Sequence, residues 1–265
     1  MIEPYTQKIF FVDNELLADL KQDSIVEYKH FIAPQIDSKL IVIPDLSAQQ
    51  IGELVAYVPP TEIRVGNVLA KTGYTNQFGP LDAFADDHAI RKFRIWVQLC
   101  IALGAKKVAV NNIEKVHVQS QDQFDIDLTG GLKAPIGSAD IEFKRKSSEE
   151  EKAVSEKILS LAAEATGGEP NLSAAEEILT LYDLHKDDMF RSMYEMRRIT
   201  SNRLLKHDFM LDLTQDMKRM FDASTKAKLK VMSKICKGGG IDASVVNKSL
   251  EKSQTALKLV IGVEF

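Results

Sequence analysis

From Lys106 to Lys146 the chain alternates apolar and polar positions with a period of two. Val108, Val110, Val116, Val118, Phe124, Ile126 and Leu128 hold even-numbered positions, and Ala109, His117, Gln119, Gln123, Asp125 and Asp127 hold odd ones. After a loop with Gly and Pro (Thr129 to Ser138), Ala139, Ile141 and Phe143 resume the alternation opposite Asp140, Glu142 and Lys144. A period of two sends one set of side chains to a buried face and the other to water. The stretch 106–146 therefore predicts an antiparallel ribbon with one wet side. As a single strand, residues 106–128 would run about 75 Å, far beyond usual strand lengths. The parity kept across Asn111-Asn112-Ile113-Glu114 favours a bulged bend over a turn.

The segments before the ribbon mix strands and helices. Lys8 to Val12 reads as a short strand, followed by a helix capped by Asp13 or Asn14 and running to about Leu20. Ser24 to Ala33 reads as extended, and Leu40 to Ile43, stopped by Pro44, as a strand buried on both faces. Ser47 predicts the cap of a helix ended by Pro59-Pro60, whereas Ile63, Val65 and Val68 fit either element. Asp86 or Asp87 opens a strongly apolar helix that Gly104 ends in a left-handed turn.

Beyond Ser147 helical spacing dominates. Ser148 with Glu151, and Ser173 with Glu176, have the spacing of capping boxes, and Gly167-Gly168-Glu169-Pro170 reads as a linker. A long helix is expected through Met189, Met193 and Met196, continuing from Arg198 to Phe221 on Leu204, Leu205, Phe209, Leu213, Met217 and Met220. A further helix stops at Gly238-Gly239-Gly240, another covers Ala243 to Ser253, and residues 257–265 alternate as a closing strand. The expected architecture is α+β, a two-layer sandwich of a mainly antiparallel sheet with packed helices. Residues 1–146 form its α/β part and 147–265 a helical part, whose last strand pairs with the ribbon to give one integrated fold.

Composition narrows the chemistry. With 265 residues, 45% hydrophobic and 27% charged, the chain has an ordinary globular make-up and enough length for a real core. Cys100 and Cys236 sit in apolar helical patterns and read as buried thiols, which fits a reducing cytoplasmic setting. No leader-like start or bilayer-length apolar run is seen. A net charge of −4 argues against nucleic acid as a partner. The charge is unevenly spread: Arg191 to Lys237 carries +7 and the remainder −11. Docking of the basic part on the acidic part of the same chain explains this first, and an anionic partner second.

The histidines His30, His88, His117, His185 and His207 lack a second ligand at metal spacing, so no metal is expected. Asp86 and Asp87 beside His88 read as helix-start acids. Gly238-Gly239-Gly240 follows Lys237, the reverse of a phosphate-binding loop, and no catalytic or cofactor motif emerges. The residues with most functional character lie on one basic helix: Lys226, Lys230, Lys234 and Lys237 share a single arc of the wheel, with Arg197 and Arg198 upstream. A non-catalytic interaction or regulatory protein is therefore the first expectation, binding an unknown protein or anionic partner, with oligomers possible. A membrane-active, pore-forming use of the amphipathic ribbon comes second. An enzyme with a site of dispersed acids and histidines comes third.

Overall fold

The computed structural model describes residues 2–118, 152–199, 204–238, 241 and 243–265. The fold is α+β, with mixed sheets packed against helices and a last helix followed by a closing strand. The chain divides into two compact units, each drawing on distant parts of the sequence. Unit 1 comprises Met1–Arg91, Lys115–Val118 and Leu213–Leu257; unit 2 comprises Lys92–Glu114, Gln119–Asp212 and Lys258–Phe265.

Unit 1 is built on the sheet order β2-β1-β3-β4, from β1 (Lys8–Val12), β2 (Ser38–Val42), β3 (Val68–Lys71) and β4 (Phe78–Pro80). β1 pairs parallel with β2 and antiparallel with β3. All five residues of β1 are buried, because the strand is central and covered on both faces. Phe10 and Val12 enter a core shared with α1 (Asn14–Asp23), α2 (Ile25–Ile32) and α9 (Ala223–Gly238), through Leu16, Leu20, Phe31, Leu229 and Met232. Ile9 and Phe11 point the other way, to Ile41 and to Leu54 of α3 (Ala48–Val55). Double-sided burial thus belongs to β1, whereas β2, expected to have it, is an edge strand and mostly half-buried.

Local signals explain most of these elements. The Asp13 carboxylate accepts the Leu16 N–H, and Ser47 with Gln50 forms a complete capping box. The extended reading of Ser24 to Ala33 is overturned. Ser24 caps α2 by accepting the Glu27 N–H, and Tyr28 and Phe31 supply its inward face.

Unit 2 contains most of the order β6-β5-β8-β7, formed by β5 (Lys107–His117), β6 (Ala163–Glu164), β7 (Lys206–Asp212) and β8 (Thr255–Glu264). The closing strand does lie beside the ribbon strand β5, and on its other side it pairs antiparallel with β7. β5 runs unbroken across Asn111 to Glu114. The ribbon positions from Gln119 to Lys146, and Ser148 with Glu151, lie outside the described residues. α4 (Phe84–Ala102) supplies Trp96, which meets Phe190 edge-on at 5.2 Å and Phe209 at 5.0 Å between ring centroids. Gly104 takes φ +87, as its place after α4 requires.

Two helical expectations fail here. Arg198 to Phe221 is not one helix, because β7 occupies Lys206–Asp212 and α8 covers only Thr214–Met220. Phe209 and Leu211 are buried while Asp208, Met210 and Asp212 face outward, a period of two inside what reads as helical spacing. The long helix before it is also broken. After α5 at residues 152–159, which is a separate helix, the break falls between α6 (Leu172–Leu181) and α7 (Asp188–Arg198), with Asp183 at φ +51. Asn171, not Ser173, caps α6.

The first strand carries an unusual burden. Lys8 is fully buried, and its Nζ donates to Thr225 Oγ1 at 2.8 Å and to the Met220 carbonyl at 3.3 Å, with Asp37 Oδ2 at 2.8 Å. Removing one partner of a buried pair typically costs about 3–5 kcal/mol, through the charge left behind. Asp37→Ala leaves the buried ammonium with neutral acceptors and only the more distant Asp222 carboxylate at 3.6 Å, whereas Lys8→Met fills the same space and leaves carboxylates already open to water. Urea unfolding is expected to show the larger loss for Asp37→Ala; a larger loss for Lys8→Met refutes this assignment.

Candidate functional site

The lysine helix is α9, whose sixteen residues include five lysines and no acid. Its apolar face packs into the unit 1 core through Leu229, Val231, Met232 and Ile235. Lys228 follows that face inward. Its Nζ lies 3.3 Å from the Ala33 carbonyl oxygen and 3.5 Å from Ser38 Oγ, and 5.6 Å from the Phe10 ring centroid. Burial pulls the Lys228 pKa below the ordinary lysine value, against the opposite pull of Asp37. Lys226 is half-buried, while Lys230, Lys234 and Lys237 are exposed, and Lys234 bonds Glu27 at 2.8 Å.

The two arginines sit in unit 2. Arg197 is buried, with Nε donating to the Leu103 carbonyl at 3.1 Å and Nη1 to the Leu204 carbonyl at 2.7 Å. Its guanidinium also lies over the Phe265 ring at 3.9 Å, so this side chain serves the fold. Arg198 is exposed and paired with Glu195 at 2.9 Å.

A surface that sequence reasoning missed lies along β2. In the parallel pair, Lys8 N donates to the Asp37 carbonyl and Ile43 N to the Val12 carbonyl, so odd-numbered residues of this strand face β1. The main-chain groups of Ser38, Leu40 and Val42 consequently point away from the sheet. Among the described residues no other strand pairs with β2. A groove of about 310 Å³ lies beside this edge, against α3. Ile2, Ile41, Leu46 and Leu54 give it an apolar floor, and Lys39, Asp45, Gln50 and Glu53 line it with polar groups. Asp45 also accepts a hydrogen bond from Asn14 Nδ2 at 2.9 Å, which fixes one carboxylate of the wall. The apolar run before Pro44 marks a strand, but an edge position is invisible without the pairing partner.

His88 finds a carboxylate far from its own helix turn. Its Nε2 lies 3.1 Å from Asp216 Oδ2, without the alignment of a hydrogen bond. The imidazole is sandwiched between Tyr74 (5.7 Å, 9°) and Phe84 (5.2 Å, 15°). Asp86 and Asp87 lie within the first turn of α4, where acids favour the dipole, but the helix already begins at Phe84, so neither opens it as expected. Among the described residues no group of three or more His, Cys, Asp or Glu side chains is arranged to hold a metal ion.

A methyl group at Gly73 would collide with His88 Nδ1, which stacking holds in place, whereas one at Gly79 would meet only Thr72 Cγ2 at 3.4 Å. Gly73→Ala is expected to cost about 1–3 kcal/mol by urea unfolding and Gly79→Ala less than about 1 kcal/mol. Compared with protein-family models, curated proteins and solved structures, the chain shows no match.

Proposed function

We propose that this chain is a non-catalytic interaction protein that takes up an extended segment of another protein along the open edge of β2. The observation that carries this reading is the coincidence of a strand edge, unpaired among the described residues, with a lined groove at the same place. Outward-facing N–H and C=O groups of Leu40 and Val42 supply a ladder for an added strand, each bond worth about 0.5–1.5 kcal/mol net. Alternate side chains of the guest would fall into the groove, where Ile41, Leu46 and Leu54 favour an aliphatic residue. Asp45 and Glu53 outnumber Lys39 among the charged groups there and favour a basic residue beside it.

The arrangement of α9 supports a smaller role for its lysines than their spacing implies, since Lys228 is buried and Lys234 is paired. Lys230 and Lys237 remain candidates for a second, anionic contact, whereas Arg198 in unit 2 is engaged by Glu195. A cytoplasmic setting accords with Cys100 and Cys236, both buried and not disulfide-bonded; burial also pushes the Cys100 thiol pKa well up, which disfavours the reactive thiolate. Among the described residues no helix is long and apolar enough to cross a membrane.

The test is selection of linear peptides from a random library on the immobilised full chain. Leu40→Pro removes an outward N–H without touching a bond to β1, and Glu53→Lys reverses one charge of the groove. Peptides alternating aliphatic and polar residues should emerge, and either substitution should weaken them about tenfold or more, the equivalent of one or two such bonds. Circular dichroism should keep its native form in both variants. Selection of no peptides, or equal binding by Leu40→Pro, rejects the proposal.

A further inference from the structure

Away from the β2 groove, α2 presents an exposed face that an ordinary surface helix does not need. On a wheel of about 100° per residue, Ile25, Lys29, Val26 and His30 share one arc, opposite the buried Phe31. Val26 is 73% exposed, and Ile36, just past the helix, is 83% exposed; Ile25 and Ile32 are also exposed. Single exposed aliphatics are commonplace, whereas four within twelve residues, three of them on one short helix, are a local concentration.

The neighbouring helix gives that face its charge. Lys228 reaches Ala33, after the end of α2, while Lys234 reaches Glu27 in its first turn, so α9 runs past α2 in the opposite sense. Lys230, Lys234 and Lys237 recur at helical spacing on the exposed side of α9, beside the His30 flank of α2. Lys234 and Glu27 cancel as a pair, which leaves Lys29, Lys230 and Lys237, three cations, against Asp23. The result is a convex ridge of aliphatic side chains bordered by lysines.

We infer that this ridge of α2 and α9 docks reversibly on an anionic lipid surface. A fluid interface accepts aliphatic side chains wherever they project, whereas a protein partner must offer a matching hollow for each. Lysines beside such side chains gain from the negative potential of acidic headgroups, and the apolar tips enter the boundary with the acyl chains. Few side chains take part, so the contact is weak and salt-sensitive rather than a permanent anchor.

The experiment is co-sedimentation of the full chain with vesicles of phosphatidylcholine alone and with about 30% phosphatidylserine, in roughly 0.1 M salt. Binding is expected to the acidic vesicles, at least about tenfold stronger than to the neutral ones. Val26→Asp with Ile36→Asp, and separately Lys230→Glu with Lys237→Glu, should each lower it about tenfold or more, with circular dichroism unchanged. Leu40→Pro should bind vesicles normally, which separates this surface from the strand edge. No binding to acidic vesicles overturns the inference. Loss with the lysine variant but not the aspartate variant also overturns it, and shows recognition of a polyanion by charge alone.

Discussion

An ammonium group sealed beneath a sheet needs acceptors from the protein, because water cannot reach it. Lys8 lies on a strand buried from end to end, and its desolvation would cost several kcal/mol without compensation. Asp37, Thr225 and the Met220 carbonyl supply that compensation from sequence positions some thirty and more than two hundred residues away. Asp222 helps at both ends, lying 3.6 Å from the ammonium and accepting the Thr225 N–H at 2.7 Å. The first turn of α9 and the residue before β2 are thereby fastened to one point. That fastening orients α9 so that Leu229 and Met232 face inward and Lys230 and Lys234 outward. It also starts β2 in register with β1 and leaves the far side of that strand open.

Part of the positive charge in this chain serves architecture. Lys8, Lys92, Lys228 and Arg197 are all buried, and Lys92 pairs with Asp187 at 2.9 Å. Two of the four, Lys228 and Arg197, come from the basic stretch between Arg191 and Lys237. The excess seen in the sequence is therefore partly consumed inside each unit. Among the described residues of that stretch, the cations left exposed include Lys218 and Arg219 of α8 as well as Lys230, Lys234 and Lys237 of α9.

The α+β class and the major caps were legible because local chemistry specifies them. Asp13, Ser47 and Gly104 act on neighbours a few residues away, and β8 follows from its own alternation. β7 was hidden because Phe209, Leu213, Met217 and Met220 also recur every three or four residues, so strand and following helix merge into one false period. α2 was missed because Ile25, Val26 and Ile32 face outward and blur the apolar stripe. The groove was beyond local reading for a different reason: whether a strand lies at an edge depends on pairing across the sheet. Arg197 shows the same limit, since a residue on a basic helix end is bound by Leu103 and Leu204 only after the chain folds back.

The glycine pair after β6 reads as a linker in the sequence, and the structure makes it a seam. Ala165 N donates to the Lys106 carbonyl, Gly168 N to the Gly104 carbonyl and Asn171 N to the Ala102 carbonyl, so the segment is stitched along the end of α4. A side chain at Gly104 would run into the Gly168 carbonyl oxygen, and Gly104 and Gly167 both hold positive φ. These glycines permit contact between backbones instead of freedom of movement. Cutting the chain there to obtain two shorter proteins would sever a packed corner, and each fragment would inherit half of a backbone lattice with no partner.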